Sequence, residues 1–309
     1  MCSMKKISCL ILLSFAAINV AHGQFYFKAG LGYALPQSGQ TMDGTSTPYN
    51  GTMSISSAAA TQTYSIKSAS FSTGVHGFLG IGYFVNDHVG IELNGDFGLS
   101  TKKYTFTISN IVLNGVESDI KIEQKAKGLF VLSPSLVLQT GGEVVNLYTR
   151  LGVALPLGSK INADQVQSNL PGTGAPASYD FSFQVKNSFS PGFSAAAGLR
   201  YKLNDKISIW GEISVLSLNM YIKQSELKDF SYNGQSQSLT YVTSPHVVKY
   251  SKNAIVDSNQ ASLPTYSQPF SNVGLNVGVS FNISEKKQKR NDHLNSDEAV
   301  EEKKPYKRR

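Results

Sequence analysis

Cysteine is almost missing from this chain. Of 309 residues only Cys2 and Cys9 are thiols, and both fall within the first ten. They belong to a segment expected to be removed, so the mature chain has no thiol, and disulfide, thiolate–zinc and cysteine-nucleophile chemistry all lapse. Histidine is sparse as well. His22, His76, His88, His246 and His293 are scattered without metal-ligand spacing, so no metal or cofactor is expected. A basic stripe interleaved with aromatics is also absent. The formal charge of +7 contains +2 from Lys5 and Lys6, and the tail from Glu285 onward adds nine Lys/Arg against six Asp/Glu, which leaves only +2 between them. Nothing there calls for nucleic acid.

What is present begins with an address. Met4-Lys5-Lys6 is a positive n-region. Ile7 to Val20 is apolar but too short for an ordinary membrane helix, and Ala21-His22-Gly23 has the small residues of a cleavage site. Cys9 precedes the end of the apolar run rather than following it, unlike a lipobox cysteine. Residues 1–23 are therefore read as a secretory signal, with the mature chain starting at Gln24.

Two hairpins organise the rest. Gly80-Ile81-Gly82-Tyr83-Phe84-Val85-Asn86-Asp87-His88-Val89-Gly90-Ile91 alternates apolar and small or polar residues on either side of an Asn-Asp turn. The first face is read as Phe71, Val75, Leu79, Ile81, Tyr83 and Val85, continued by Val89, Ile91, Leu93, Phe97 and Leu99. The same pattern returns as Gly198-Leu199-Arg200-Tyr201-Lys202-Leu203-Asn204-Asp205-Lys206-Ile207. In chain order, period-2 alternation predicts strands over about 24–35, 71–85, 89–106, 126–138, 145–157, 193–203, 207–221 and 273–283. Pro134 inside the fourth predicts a bulge or local break, because proline removes a ladder donor.

The links between strands alternate strictly. Those at Asn86-Asp87, Gly141-Gly142 and Asn204-Asp205 are short; those after Leu35, Tyr104, Leu157 and Tyr221 are long. This asymmetry predicts an all-β, eight-stranded antiparallel transmembrane β-barrel, up-and-down, with short periplasmic turns and long extracellular loops over 36–68, 158–188 and 222–270. A soluble barrel would carry the same alternation, so the content of the faces decides. One face holds Gly, Ala, Ser and Asn with a few charges, as a narrow eight-stranded interior requires. The other is apolar and ends in aromatics. Phe25 to Tyr33 and Phe193 to Tyr201 are each eight residues apart, or roughly 20 Å at about 3.3 Å per residue and a tilt of about 40°, close to the height of a lipid-facing band.

On these features the chain resembles the small outer-membrane barrels of the OmpA/OmpX type, in the outer membrane protein beta-barrel domain group. The resemblance rests on the signal, the repeated Tyr-x-[Val/Leu]-Asn-Asp hairpin (Tyr83 to Asp87, Tyr201 to Asp205), Leu151-Gly152, and a last strand ending in the aromatic Phe281. It spans about residues 24–283. It implies an outer-membrane location in a Gram-negative cell, contact with outer-membrane lipid, and recognition of the terminal aromatic strand by the barrel-assembly machinery. The chain departs from the group in continuing past Phe281. Residues 284–309 are read as a charged, disordered periplasmic tail, too short and polar for a peptidoglycan-binding domain.

The chemistry that remains is on the inward face. Lys28, Glu92, Arg150, Arg200 and Glu212 fall a few residues inside the periplasmic ends, with Asp96 a little higher. Charges in a narrow lumen must be paired. The register predicts Glu92 and Glu212 in one layer with Arg150 and Arg200 between them, and Lys28 at the rim within reach of water. Such a layer serves either as a salt-bridged closure or as a charged constriction in a narrow channel for ions or small solutes. Ser72 and His76 share a face four residues apart but lack a nucleophile elbow or a His–carboxylate spacing, so no enzyme is expected. The expected role is a non-catalytic surface or structural one, with an extracellular ligand or protein met by the long loops.

Overall fold

The computed structural model describes residues 24–37, 51–56, 61–66, 69–113, 116–169, 177–242, 245–253 and 261–283. Eight strands form a closed antiparallel barrel: β1 (Gln24–Pro36), β2 (Gly74–Phe84), β3 (Val89–Thr101), β4 (Val116–Gln139), β5 (Val145–Asn169), β6 (Gly192–Lys202), β7 (Ile207–Ser217) and β8 (Asn272–Asn282). Each pairs with its neighbour in the chain. The ring is closed by β1 against β8, with Phe27 opposite Phe281 and Leu35 opposite Val273. Closure leaves no edge, so every strand finds backbone partners on both sides.

The repeated hairpin motif has a repeated geometry. Asn86 Oδ1 accepts from the backbone N–H of His88 and of Val89, both at 2.8 Å. Asn204 Oδ1 accepts from Lys206 at 2.9 Å and Ile207 at 2.8 Å. One short side chain thus holds both donors of a tight turn.

Around the lower barrel the outward positions form an apolar belt, with Leu31, Leu79, Ile91, Leu136, Leu151, Leu199, Ile213, Leu275 and Val277 all exposed. A continuous apolar surface encircling a barrel is lipid-facing wall. Phe25 packs on Tyr83 at its lower margin, with ring centroids 4.6 Å apart, and Phe97 stacks on Phe130 near the upper one at 4.7 Å.

Above this belt the pattern inverts. Within β5, Tyr148 and Arg150 face inward and Leu147 and Leu151 outward; higher on the same strand Ile161 and Ala163 are buried, while Lys160, Asn162 and Asp164 are exposed. The inward parity changes from even to odd. In β4 it changes from odd (Val131, Val137) to even (Ala126, Ile120). The switch occurs where the β4–β5 register shifts, between Lys127 and Val131, around Gly128 at φ +67°, a left-handed value that suits glycine and a bulge.

Two expectations change here. The segments read as long loops over 158–188 and 222–270 are largely strand: β5 runs on to Asn169, Ser178–Asn187 pairs beside it, and Asn219–Tyr232 pairs on the far side of that strand. Water bathes one face of this upper sheet, so the apolar-out period that marks the membrane strands ends there. Gly51–Ser56 and Thr61–Ile66 pair as a hairpin within 36–68, and the rest of that loop, the signal and the tail lie outside the described residues. At Pro134 the expected local break is present, since the β4–β5 ladder lapses between Leu132 and Ser135 with the register unchanged, while the bulge itself lies at Gly128. Phe71 is not on the lipid face; it lies in the turn before β2 and is buried.

Candidate functional site

Inward alternation on four strands brings Lys28 (β1), Glu92 (β3), Arg150 (β5) and Glu212 (β7) to one level. Lys28 Nζ lies 3.0 Å from Glu92 Oε1 and 3.6 Å from Glu212 Oε2. Arg150 Nη2 donates to Glu212 Oε1 at 2.7 Å, and its Nε lies 3.6 Å from Glu92 Oε1. Each carboxylate takes a phenol as well: Tyr26 donates to Glu92 Oε2 at 2.6 Å and Tyr148 to Glu212 Oε2 at 2.8 Å. Asn276 Nδ2 reaches Glu212 Oε1 at 3.2 Å. The four charged side chains are 0–5% exposed. Two carboxylates and two cations cancel, and hydrogen bonds reach Glu92 Oε2 and both Glu212 oxygens, while Glu92 Oε1 is held by the ion pairs to Lys28 and Arg150 alone; pairing of this kind is the condition under which buried charge is tolerated.

Space for this layer comes from glycine on adjoining strands. A Cβ at Gly82 would lie 2.3 Å from the Tyr26 ring, and one at Gly278 would lie 2.6 Å from Trp210. Small and large residues therefore alternate around the lumen, filling it with side chains.

Two of the expected members stand elsewhere. Arg200 is not between the carboxylates. Its guanidinium carbon lies 4.8 Å from the Tyr26 ring centroid, 5.3 Å from Phe84 and 5.5 Å from Tyr148, and Nη1 donates to Gln139 Oε1 at 3.4 Å. Its opposite on β5 is Asn146 rather than Tyr148 or Arg150, which sets it one layer nearer the periplasmic end. Lys28 takes the place assigned to it. The rim position expected for Lys28 is likewise overturned: it is 2% exposed, with Nζ 4.6 Å from the Trp210 ring centroid. Asp96 joins a different group, its Oδ1 2.6 Å from His76 Nδ1.

The sequence pattern gave no role to Tyr26 and Tyr148, which share the inward parity of Lys28 and Arg150, nor to Phe84 and Trp210. Trp210 has the same parity as Glu212 on β7, two residues away, and that was the available signal. Tyr26, Phe84, Val137, Tyr148 and Trp210 form one buried cluster around the charged layer.

Ser72 and His76 are brought together, but not as nucleophile and base. His76 Nε2 contacts the Ser72 carbonyl oxygen rather than its hydroxyl. The Ser72 hydroxyl donates to Phe270 O at 2.6 Å and accepts from Asn272 Nδ2 at 2.8 Å. Both residues are fully buried. Above them, Phe71 meets Phe270 at 5.4 Å between ring centroids, in an apolar cluster with Tyr104, Ile161, Leu218 and Met220. Among the described residues no group of His, Cys, Asp or Glu could hold a metal ion.

The lipid-facing belt, the closed eight-strand ring and the side-chain-filled lumen are joined by a match over residues 7–242 to the model of the outer membrane protein beta-barrel domain. The chain belongs to that family. This membership places it in the outer membrane. Solved structures similar to the barrel include OprG from Pseudomonas aeruginosa (12% identity, 85% of this chain and 97% of that one, TM-score 0.41), Ail from Yersinia pestis (8%, 84% and 97%, 0.27) and CarO from Acinetobacter baumannii (12%, 82% and 96%, 0.27). No curated protein matches the sequence.

Proposed function

We propose that this outer-membrane barrel is non-conducting and non-catalytic, and acts through the β-structure it raises above the membrane. The observation that carries this reading is the double filling of the lumen. The Lys28–Glu92–Arg150–Glu212 layer is buried and charge-balanced, and an apolar cluster around Phe71 and Phe270 lies over it. A conducting constriction needs charges that face water and exchange partners with an ion; these face one another. Catalysis needs a reachable nucleophile, and the Ser72 hydroxyl is engaged and enclosed. The upper sheet offers the partner-facing surface instead. In this reading residues 1–23 are a cleaved leader, 24–283 the barrel and 284–309 a periplasmic tail, and the strand ending in Phe281 is offered to the barrel-assembly machinery.

Planar-bilayer recording tests it. The purified protein should give no resolved current steps. Steps in the wild-type protein that change with the Glu92→Ala, Glu212→Ala double variant would restore the narrow-channel reading.

A further inference from the structure

The outer wall carries a cavity of about 600 Å³ at the top of β6 and β7. Its height follows from the aromatic positions. Phe193 is the last outward residue at the upper end of β6, and Tyr201 is the outward aromatic at the lower end. Eight residues at about 3.3 Å rise and about 40° tilt put Phe193 roughly 20 Å above Tyr201, at the upper margin of the apolar band. The cavity therefore opens at the level of the outer-leaflet headgroups.

Its lining changes with height. Phe189 and Phe193 stand at its foot, and Phe193 is 72% exposed. Tyr221, Lys223, Tyr250 and Lys252 stand above them. Among the described residues no carboxylate lines it. Lys252 Nζ lies 5.5 Å from the Tyr221 ring centroid, and Tyr250 meets Tyr266 edge-on at 6.1 Å. Tyr221 and Lys223 are exposed at alternate positions of the strand Asn219–Tyr232, so both ammonium groups reach the same side as the lipid-facing wall. The hydroxyls of Ser188 and Thr265 are spent on Tyr221 O and Ile222 O. They brace the wall and leave the lysines as its charged donors.

Apolar rings below and two cations above, with no carboxylate beside them among the described residues, match an amphiphile with its anionic end uppermost. We propose that this cavity binds the headgroup of a net-anionic outer-leaflet lipid, with Lys223 and Lys252 on a phosphate whose charge no headgroup cation offsets and Phe189 and Phe193 against the start of its chains. The site would seat an annular lipid at one fixed position on the barrel, independently of whether the lumen conducts.

Native mass spectrometry of the full-length protein in detergent tests this, with phosphatidylglycerol as probe and phosphatidylcholine of the same chains as reference. Phosphatidylglycerol should be retained one to one and phosphatidylcholine should not. Lys223→Gln with Lys252→Gln should cut the phosphatidylglycerol-bound fraction at least fivefold. The pair Lys125→Gln and Lys127→Gln, exposed on β4 outside the cavity, should leave it unchanged. Heat-modifiable migration of every variant on gels checks that the barrel is folded. Equal binding of the two lipids, an equal loss in both double variants, or retention of inorganic phosphate with no preference between the lipids would each overturn the proposal.

Discussion

The barrel is filled twice, by opposite means. In the membrane-spanning part the lumen holds Lys28, Glu92, Arg150 and Glu212 among tyrosines and asparagines, while the outside is leucine, valine and isoleucine. Above the membrane the interior is Phe71, Ile161, Leu218, Met220 and Phe270, while Lys160, Asn162 and Asp164 face out. The solvent outside dictates this difference. Lipid demands apolar side chains on the wall, which leaves polar groups to the lumen, where they must satisfy one another. Water accepts the polar groups, and the interior then gains more by burying apolar surface. A single strand such as β5 obeys both rules by changing which parity points inward.

Substitutions can break this contrast. The largest effect is expected from Arg150→Ala. It leaves two buried carboxylates sharing Lys28, a cost of roughly 3–5 kcal/mol for an unpaired buried charge, and the urea midpoint of the refolded barrel should fall accordingly. Lys28→Ala belongs in the same class because the ammonium is enclosed. A wild-type-like midpoint for either would show that water enters the lumen and supports these charges.

Phe270→Ala should cost about 3 kcal/mol through the cavity left in the upper cluster. Its signature should be local. Protease added to intact cells should cut the segments above the membrane faster, while heat-modifiable migration stays as in the wild type. Loss of both together would mean that the upper and lower parts unfold as one unit.

Arg200→Ala should lose less, about 1–2 kcal/mol, because its contacts are ring faces and a neutral amide rather than a carboxylate. A midpoint shift equal to that of Arg150→Ala would place Arg200 inside the ion-pair layer after all. The smallest effect is expected for Asn204→Ala, about 1 kcal/mol for the two turn hydrogen bonds, read from the same urea curves. Residues 204–206 should remain uncut by external protease in that variant, since the turn is periplasmic.

The lower barrel was legible because one rule, apolar out and small or polar in, holds along most of each strand there, with Phe84, Val137 and Trp210 as inward exceptions. Alternation from Phe25 to Leu35 or from Val273 to Ile283 needs no tertiary knowledge to be read. Above Leu157 that rule ends. Gly158, Ser159, Lys160, Asn162 and Asp164 look like loop because the apolar residues that remain, Ile161 and Ala163, have changed parity and point inward. A bulge at Gly128, with its partner strand at Gly158, leaves no mark that separates it from an ordinary glycine.

For the site, the sequence by itself determined which residues face the lumen, since parity is local: Lys28, Glu92, Arg150 and Glu212 could point nowhere else once the wall was apolar. Which of them meet was decided only by the tertiary structure. Strand stagger around the closed ring sets the height of each inward position, and stagger comes from the pairing of eight strands together. That is why Lys28 rather than Arg200 stands between the two carboxylates, and why Asp96 pairs with His76 above them.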